Sequence, residues 1–461
     1  MPSCRLALFA CPLFAACTGS PPPVDPPPTW RPGVVYQTAR AANARGLLDR
    51  KGLIHAHSVY SHDACDGQPL EADGGINQAC FEDFRRDLCR AKHDFVFLTD
   101  HSGHFSEFDF PDVLLYRAAL GDELVTHGGG PTANRAACPD APPALIMAGT
   151  ETAMMAVGLE AHVAGRGAVY GADGAAPIEA VKGAGAVALV AHTEGWTPEQ
   201  LVSLPLDGFE MFNLHRNSLK NAGIAAELIL NKVDKGDFDG LPEPDAFFTA
   251  FVLDDEVYEA TWGTTLARGV RRVTTMGTDC HRNTFPQLLQ DGERVDSYRR
   301  MMIGFSNHLL VRPKADGSFD DRDLKAALRA GRLYGAFDFL GTPDGFDFTA
   351  TAGGAVHELG DEVSLAQGVT LTLVVPGVRD LDPSAEPPVL RARLLKAREG
   401  GWDEVATAAE GTLRFTVREP GAYRAEVRMT PKHLRAFIGR RADFIKAERP
   451  WVYSNAIYVT P

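Results

Sequence analysis

The sequence predicts an α/β protein in which a barrel domain is followed by a smaller, antiparallel all-β domain. The first observation is a series of short apolar runs between residues 50 and 281, each of which ends in His, Asp or Glu. Several strands that bring polar side chains to one end are typical of α/β barrels. The second observation is a change after residue 343, where short alternating segments are separated by Gly and Pro. About seven such segments predict a β-sandwich.

The composition is that of a soluble globular protein with room for two or three domains. The chain has 461 residues, of which 45% are hydrophobic and 23% are charged, and both fractions are ordinary. The formal net charge of -14 argues against nucleic acid as the main partner, because nucleic-acid binding depends on basic surfaces. Bound cations would offset part of this negative charge.

The first 34 residues predict export and a membrane anchor. Residues 1–16 begin with a positive charge at Arg5 and continue as an apolar run that is too short to span a membrane, which is typical of a signal peptide. Phe14-Ala15-Ala16-Cys17 resembles a lipobox, with Phe14 where Leu is usual, and predicts lipidation of Cys17; cleavage nearby without lipidation is the alternative. The Pro-rich segment 17–34 would then be an extended tether. We interpret the chain as a bacterial lipoprotein, periplasmic or on the cell surface, whose only membrane contact is its lipid anchor.

Export changes the interpretation of the cysteines, because disulfides form in oxidising compartments. Cys65, Cys80, Cys89 and Cys138 can pair in three ways, of which Cys65–Cys80 with Cys89–Cys138 is one. Cys280 lies between two candidate ligands, and alternation along a strand turns it away from both. We interpret Cys280 as a packing residue.

The stretch Gly52–Asp63 contains the strongest single candidate for a metal site. Leu53 and Ile54 have the character of a buried strand end, and His55 and His57 follow at once. Side chains two residues apart in an extended chain point to the same side. The two imidazoles can therefore face one ion beyond the end of the strand.

Four further apolar runs end in the same way and extend this pair to a candidate multinuclear site. Their terminal residues are Asp100 with His101, Glu151, His192, and Asp279 with His281. Imidazole and carboxylate groups suit Zn²⁺, Mn²⁺ and Fe²⁺. The alternative, buried and hydrogen-bonded side chains that cap strands, explains one or two of these residues better than it explains the whole series.

The order of these motifs resembles the PHP (polymerase and histidinol phosphatase) superfamily. The matching elements are His-x-His with Ser-x-Asp, Leu-Thr-Asp-His, Gly-Thr-Glu, Ala-His and Gly-Thr-Asp-x-His, and they span roughly residues 50–340. The chain end, residues 451–459, is similar to the close of the branch that includes carbaryl-type metallohydrolases. The resemblance implies a distorted (β/α)7 barrel over residues 35–342 and a C-terminal antiparallel β-sandwich over residues 343–461. An amidohydrolase barrel also opens with His-x-His and is the competing fold, but it gives no reason for a His two places after the last Asp.

The resemblance also implies how the ligands divide among the metals. His55, His57, Glu151 and Asp279 would hold one ion, Glu151 would bridge to a second ion held by His162 and His192, and Asp63, His101 and His281 would hold a third. His162 matches the family by position, although Ala161 replaces the family's glycine. Either His62 or Asp63 fits the third group, and we choose Asp63. Asp100 is expected to orient a ligand histidine, and the predicted catalytic residues are Asp100, Glu151, His192 and Asp279.

The implied chemistry is hydrolysis with two or three divalent ions, Zn, Mn or Fe, as cofactors. A metal-bridging hydroxide would attack a phosphomonoester or a small phosphodiester, because a cluster of cations matches a phosphoryl group. Hydrolysis of a carbamate or a carboxylic ester is the alternative, since the same hydroxide attacks carbonyls. An alternative of another class is a surface lipoprotein that binds a small ligand without turnover, and a set of nine candidate ligands argues against it.

Other segments are candidates for contact with the small-molecule substrate. The run Asp-Gly-Phe-Glu-Met-Phe-Asn resembles a family strand with inward Glu and Asn, so Glu210 and Asn213 would brace the site or line the pocket; a plain strand-to-helix cap is the alternative. Arg216 would meet an anionic group, unless it is simply solvated. The long segment 102–142 predicts a lid or substrate loop, and residues 38–48 predict a short helix. The sequence names neither the substrate nor the oligomeric state.

Overall fold

The computed structural model describes residues 29–152 and 154–461. The predicted signal peptide, residues 1–16, and the predicted lipidated Cys17 lie outside the described residues, as does most of the predicted tether. Within the described ranges, no helix combines the length and apolar character needed to cross a membrane.

The strands, in chain order, are β1 (Leu48–Ile54), β2 (Phe95–Phe97), β3 (Asp100–His101), β4 (Glu123–His127), β5 (Gly130–Ala136), β6 (Ala144–Glu151), β7 (Met155–Leu159), β8 (Val187–Leu189), β9 (Gly208–Asn213), β10 (Val273–Gly277), β11 (Ser306–Val311), β12 (Leu333–Ala336), β13 (Pro343–Asp344), β14 (Asp347–Ala352), β15 (Ala355–His357), β16 (Glu362–Ser364), β17 (Thr370–Val374), β18 (Gly377–Val378), β19 (Val389–Arg398), β20 (Gly401–Ala408), β21 (Thr412–Thr416), β22 (Gly421–Thr430), β23 (Arg449–Ser454) and β24 (Ile457–Thr460).

The α-helices are α1 (Ala64–Gly67), α2 (Gln78–Arg90), α3 (Ser102–Phe105), α4 (Gly167–Tyr170), α5 (Ala175–Gly183), α6 (Pro198–Ser203), α7 (Leu214–Lys220), α8 (Ala222–Ala225), α9 (Glu256–Ala267), α10 (Tyr298–Met302) and α11 (Asp321–Arg329). A π-helical turn covers Ala226–Leu230. Turns of 3₁₀ helix cover Asp112–Leu114, Ala118–Leu120, Thr193–Gly195, Val233–Lys235, Pro244–Phe251, Asp338–Leu340, Leu365–Gln367, Lys432–Ala436 and Ala442–Ile445.

One large mixed sheet organises the molecule, which is an α/β protein as the sequence predicts. The main path of this sheet has the strand order β16-β24-β22-β23-β12-β11-β1-β2-β6-β5-β4. Strands β1, β2 and β6 are parallel, and β7 and β8 continue from β6 as antiparallel neighbours. Strands β9 and β10 form a separate parallel pair. Backbone hydrogen bonds connect this pair to the large sheet, from the Glu210 N–H to the Val190 carbonyl (2.9 Å) and from the Asp279 N–H to the His55 carbonyl (3.1 Å).

The central strands are buried on both faces. Leu53 and Val96 belong to one hydrophobic cluster, and their chain neighbours Ile54 and Phe97 belong to a second cluster. Because side chains alternate along a strand, a sheet with both faces covered needs continuous apolar runs. This explains the unbroken runs in the sequence before each candidate ligand.

The predicted helix over residues 38–48 is wrong. The Asn43 side chain accepts hydrogen bonds from the backbone N–H groups of Arg45 (2.9 Å) and Leu47 (3.0 Å), and β1 begins at the next residue. An asparagine that binds nearby backbone amides offers the chain an alternative to a helix. The segment is therefore a turn that leads into the first strand.

The long segment 102–142 does not form a free lid along its whole length. Its second half is the hairpin β4–β5, and β5 pairs with β6 through Arg135 opposite Leu145. The hairpin extends the large sheet at its edge, and the backbone hydrogen bonds of that pairing fix its position. Only the first half, which contains short helical turns, remains near the predicted site.

The C-terminal strands share the large sheet with the N-terminal part. Strand β12 pairs with β23, with Gly335 opposite Tyr453, so the sheet runs without a break across the predicted boundary at residue 343. A second, four-stranded antiparallel sheet has the order β15-β14-β17-β21. Phe348 of this small sheet and Val427 of the large sheet belong to the same hydrophobic cluster. Both sheets of the C-terminal part therefore contribute side chains to this cluster, which also includes residues of the N-terminal part.

The disulfides are Cys65–Cys80 and Cys89–Cys138, the one of the three possible pairings that the sequence analysis names. The Cys65–Cys80 disulfide closes a loop that follows the His-x-His motif, with a sequence separation of 15 residues. The Cys89–Cys138 disulfide has a sequence separation of 49 residues. Cys280 is the free cysteine of the described residues and is buried, as its predicted packing role requires.

His93 is a buried histidine whose neutral form the fold requires. It is 4% exposed and its Nε2 lies 2.8 Å from the Met302 carbonyl oxygen. Burial, together with the positive charge of Lys51, lowers the pKa of His93 to about 3. The unfolded chain titrates near 6.5, so between these values only the unfolded state binds the proton. Stability is therefore lost as the pH falls through this range, by about 1.4 kcal/mol per pH unit.

We expect His93→Gln to remove this part of the acid sensitivity, because the amide can still donate to Met302 but takes no proton. Between pH 6.5 and pH 5, the free energy of unfolding of the wild type should fall by about 2 kcal/mol more than that of the variant. Urea unfolding at several pH values measures the difference. His357→Gln, at a half-exposed histidine in β15, is the matched control; equal pH slopes for wild type and His93→Gln contradict the assignment.

Candidate metal centre

The backbone holds the histidines after β1 beside the acidic residue after β10. The His57 N–H donates to the Cys280 carbonyl (3.1 Å), and the Asp279 N–H donates to the His55 carbonyl (3.1 Å). His55, His192 and Asp279 have φ angles of 82°, 50° and 54°. This left-handed conformation costs a non-glycine residue on the order of 1–3 kcal/mol. Strain at three residues of one cluster is typical of a functional site.

Four buried side chains form the centre of the cluster: His55, His57, Glu151 and Asp279. The His55 Nε2 lies 3.2 Å from both Glu151 Oε2 and Asp279 Oδ1. The His57 Nε2 lies 3.2 Å and 3.3 Å from the same two oxygens. All four atoms are buried, yet none makes a hydrogen bond to any residue of the described ranges. A cation between them would satisfy all four at once, whereas unpaired buried polar atoms are costly.

A second group lies next to the first. His57, His101 and His281 can share an ion, and the rings of His57 and His281 stack with their centroids 3.7 Å apart. Asp63 Oδ2 lies 3.5 Å from His101 Nε2 and 3.4 Å from His281 Nε2. His62 is exposed, with its ring centroid 5.0 Å from that of His101. Asp63 is therefore the better placed of the two candidates for this group.

His192 and His215 complete the cluster on its half-exposed side. The His192 Nε2 lies 3.3 Å from both Glu151 Oε1 and Asp279 Oδ2. The His215 Nδ1 also lies 3.3 Å from Asp279 Oδ2, and it forms a third candidate group with Asp279 and His281. His215 is not among the residues predicted from the sequence. A signal was present, because His215 is the second residue after β9, in the first turn of α7, and so lies close to a strand end.

His162 is not brought to this cluster. Its Nδ1 lies 3.0 Å from the Tyr170 hydroxyl and its Nε2 lies 2.7 Å from the Phe108 carbonyl oxygen. With both ring nitrogens engaged, the imidazole has no free lone pair to offer an ion. The position of His162 therefore does not support its predicted role as a ligand.

Asp100 contacts the backbone after His57 instead of a ligand histidine. It accepts hydrogen bonds from the Ser58 N–H (2.5 Å) and the Ser58 hydroxyl (2.8 Å). Burial raises its pKa to about 6, against the opposing effects of His57 and Ser58. Asp100 thus fixes the turn that follows the His-x-His motif, and it positions the imidazoles through the backbone.

Glu210 is the residue that orients His55. Its Oε1 lies 2.6 Å from His55 Nδ1, and its Oε2 accepts a hydrogen bond from the His192 N–H (3.2 Å). Asn213 Nδ2 also donates to Oε2 (3.2 Å) and lies 3.5 Å from Asp279 Oδ2. A Cβ at Gly277 would stand 1.8 Å from Glu210 Oε1, so the glycine is required for this contact. Glu210 and Asn213 therefore brace the cluster, one of the two predicted roles.

Glu194 orients the His192 ring at the rim of the cluster, as Glu210 orients the His55 ring. Its Oε1 lies 3.5 Å from His192 Nδ1, and its Oε2 accepts a hydrogen bond from the Tyr258 hydroxyl (2.5 Å). Arg216 Nε lies 3.6 Å from Glu194 Oε1, and this nitrogen is buried without a hydrogen-bond partner in the described ranges. Arg216 Nε also lies 3.8 Å from Asp255 Oδ2, so its positive charge is paired with two carboxylates beside the cluster.

The carboxylates and imidazoles shift one another's pKa values strongly. Burial alone would lower the pKa of His57, but Asp279 and Glu151 raise it to about 9. The same competition raises the pKa of His192 to about 11. Burial would raise the pKa of Asp279, yet the histidines hold it well below its usual value. Protons and metal ions thus compete for the same nitrogen lone pairs, and metal binding releases protons from this cluster.

The donor set fits divalent cations. It combines imidazole nitrogens with buried carboxylates, the ligands of Zn²⁺, Mn²⁺ and Fe²⁺. The ligand atoms within each group lie within 4.8 Å of one another. Outer carboxylates orient two of the imidazoles, as is usual in metal sites. These residues can therefore hold divalent metal ions.

We expect Glu210→Gln to weaken metal binding by about 10- to 100-fold. Gln can keep a hydrogen bond to His55 Nδ1, but it removes the negative charge that makes the imidazole a stronger ligand. Competition titration with a chromogenic chelator measures the affinity. Glu199→Gln, an exposed glutamate of α6, is the matched control. Wild-type metal affinity in Glu210→Gln would contradict the role of the carboxylate.

Comparison with known proteins gives a similarity to a solved structure. No family model matches the chain, and no curated protein matches it. A solved structure from Bacteroides vulgatus ATCC 8482, described as a two-domain protein containing a predicted PHP-like metal-dependent phosphoesterase, is 14% identical and has a TM-score of 0.34. The match covers 92% of this chain and 99% of that chain. The chemistry that this site can support is set by the side chains of the cluster itself.

Proposed function

We propose that this chain is a metal-dependent hydrolase of the PHP type that cleaves phosphomonoesters or small phosphodiesters. The observation that carries the proposal is the set of four buried atoms, on His55, His57, Glu151 and Asp279, that face one another without hydrogen bonds. The adjoining group of His101, His281 and Asp63 provides for a further ion. Two or three divalent ions are therefore the proposed cofactors.

The protein's own residues would hold the ions and place the substrate. Bound divalent ions would supply an activated water and positive charge against the substrate. Glu210 and Glu194 fix the rings of His55 and His192, so the ligands need little rearrangement. We expect Arg216, which lies beside Glu194 at the rim of the cluster, to meet an anionic oxygen of a phosphate ester.

A second candidate function is hydrolysis of a carbamate or carboxylic ester at the same site. The observation that favours it is a small cleft of about 20 Å³ beside Asp279 and His281, whose lining includes Phe248, Phe285 and Met301 together with Arg282 and Asp296. Its apolar side chains would favour an uncharged group over a phosphate at this edge of the site.

A substrate panel tests these functions. The panel contains para-nitrophenyl phosphate, bis-para-nitrophenyl phosphate, para-nitrophenyl acetate and a para-nitrophenyl carbamate, each with Mn²⁺ and with Zn²⁺. The proposal expects the highest kcat/KM for one of the two phosphate esters, and two or three metal equivalents per chain by elemental analysis. A higher value for the carbamate or acetate selects the second candidate. Protein without metal and without turnover on the panel would leave only a binding role.

We propose a barrel closed through the contacts between β8 and β9 and between the chain segments after β1 and β10, followed by a C-terminal sandwich built on the small sheet. We also propose export and lipidation at Cys17. The two disulfides support export, since such bonds are typical of oxidising compartments. Incorporation of labelled palmitate into the wild type, and its loss in Cys17→Ser, tests the lipid anchor.

A further inference from the structure

A second polar cavity lies at the other end of strands β9 and β10. Its volume is about 280 Å³, and its polar lining comprises Asp207, Arg271, Arg272, Arg329, Asn455 and Tyr458. Strand β10 begins at Val273 beside this cavity and ends at Gly277, two residues before Asp279. At about 3.3 Å per residue, the cavity is about 20 Å from the histidine–carboxylate cluster.

Backbone carbonyls hold the guanidinium of Arg272 in this cavity. Its Nε donates to the Leu201 carbonyl (2.8 Å), and its Nη2 donates to the Leu204 carbonyl (2.9 Å). These bonds fix the side chain but leave its positive charge without a counter-ion. Burial accordingly lowers the pKa of Arg272.

The other two arginines are fixed in the same manner. Arg329 Nη2 donates to the Gly185 carbonyl (2.7 Å), and Arg271 Nη2 donates to the Gly360 carbonyl while its guanidinium lies 5.3 Å from the centre of the Tyr458 ring. Four hydrogen bonds to carbonyls engage Arg272, whereas Arg271 and Arg329 use only one nitrogen each of their five N–H donors. The remaining donors of Arg271 and Arg329 are available to a ligand.

The cavity carries an excess of positive charge. Within residues 29–152 and 154–461, no carboxylate oxygen lies within 4.0 Å of the nitrogens of these three arginines. Asp207 is the acidic residue of the lining, and it has partners of its own: its Oδ2 accepts the Ala188 N–H (2.8 Å) and its Oδ1 lies 3.6 Å from Lys182 Nζ. Three unpaired guanidiniums in a protein of net charge -14 are a local reversal of the overall potential.

We propose that this cavity is a binding site for a phosphate group, separate from the metal cluster. Guanidinium groups present forked N–H donors that match phosphate oxygens, and they bind doubly charged anions better than single carboxylates. The phosphate belongs either to a small soluble molecule or to a phospholipid headgroup. Both have the same recognised chemistry, and the test separates them.

The test uses the Asp279→Asn chain, so that phosphate retention at the metal cluster is reduced, and compares it with the same chain carrying Arg271→Gln and Arg329→Gln. Gln can keep one hydrogen bond to each carbonyl but removes the charge. Inorganic phosphate is titrated by calorimetry, and co-sedimentation is measured with vesicles of phosphatidylglycerol and of phosphatidylcholine. Arg414→Gln, an exposed arginine of β21, is the matched control. Circular dichroism melting verifies that each variant is folded.

We expect the two Arg→Gln changes to weaken binding at least tenfold, and Arg414→Gln to leave it unchanged. Loss of phosphate titration identifies a soluble phosphate as the ligand. Loss of binding to phosphatidylglycerol vesicles alone identifies a headgroup. Binding of neither probe, or equal binding with and without Arg271 and Arg329 in folded protein, overturns the proposal. None of these outcomes depends on turnover at the metal cluster.

Discussion

Asp279→Asn should abolish most of the hydrolytic activity, with kcat/KM lower by about a thousandfold or more. The Asp279 carboxylate lies within 3.3 Å of nitrogens of His55, His57, His192 and His215. An ion bound to any of these histidines would therefore also need this carboxylate. Loss of an ion removes several kcal/mol of charge stabilisation in the transition state, which corresponds to about this factor in rate. Metal content should fall together with the rate.

Asn is the informative substitution because the backbone at Asp279 has a positive φ, which Asn tolerates better than Ala. The variant should therefore fold, and circular dichroism melting verifies this. Asp344→Asn, at an exposed carboxylate of β13, is the matched control and should retain wild-type rate and metal content. Wild-type turnover with a full metal complement in Asp279→Asn would remove the basis of the proposed site.

Arg424→Ala should lower the free energy of unfolding by about 3–5 kcal/mol. The Arg424 side chain is fully buried, and its Nη2 lies 2.6 Å from Glu259 Oε2 and 3.1 Å from Glu426 Oε2. Its guanidinium also lies 4.1 Å from the ring centre of Trp262 and 4.4 Å from that of Trp402. Removal of the arginine leaves the largely buried Glu259 carboxylate without a cation, whereas Glu426 keeps Arg393 and Arg428; loss of one partner is the costly way to break a buried pair.

The cost of Arg424→Ala should grow with pH. Burial raises the pKa of Glu259 to about 7, against the lowering effect of Arg424, so below this value the carboxyl can take a proton and needs no cation. A raised pKa in the native state makes the protein less stable as the pH rises through that value. Urea unfolding at pH 5.5 and pH 8 should give the larger difference from wild type at pH 8. Arg414→Ala, at an exposed arginine, should show no difference at either pH; the same result for Arg424→Ala would contradict the analysis.

The strand-end ligands could be identified from the sequence because their signal is local. An apolar run predicts a buried strand, and a His, Asp or Glu directly after it must lie at the strand's end. His55, His57, Glu151, His192 and Asp279 meet this description, and the structure places them within contact distance of one another. Family spacing fitted either His62 or Asp63, and the position of Asp63 in the structure agrees with the choice of Asp63.

The predicted roles of His162 and Asp100 differ from the structure because long-range contacts, which the sequence does not show, decide them. The selection of His162 rested on family spacing, but the chain turns there so that Tyr170 and Phe108 take both ring nitrogens. The partner of Asp100 is Ser58 and not an imidazole, because the turn after β1 brings the Ser58 N–H to the carboxylate. The positive φ angles at three ligands are likewise set by tertiary contacts, since local propensity alone disfavours them.

Because β12 pairs with β23, the N-terminal and C-terminal parts should depend on each other for stability during truncation, proteolysis and unfolding. A chain that stops at residue 342 would lack β23 and would expose the N–H and C=O groups along one side of β12, so that it would recruit other chains and precipitate. Cleavage between the two halves should likewise leave both fragments associated until denaturant is added. We therefore expect one cooperative unfolding transition for the strands that carry the candidate ligands and for the C-terminal sheet. Limited proteolysis should release no stable fragment.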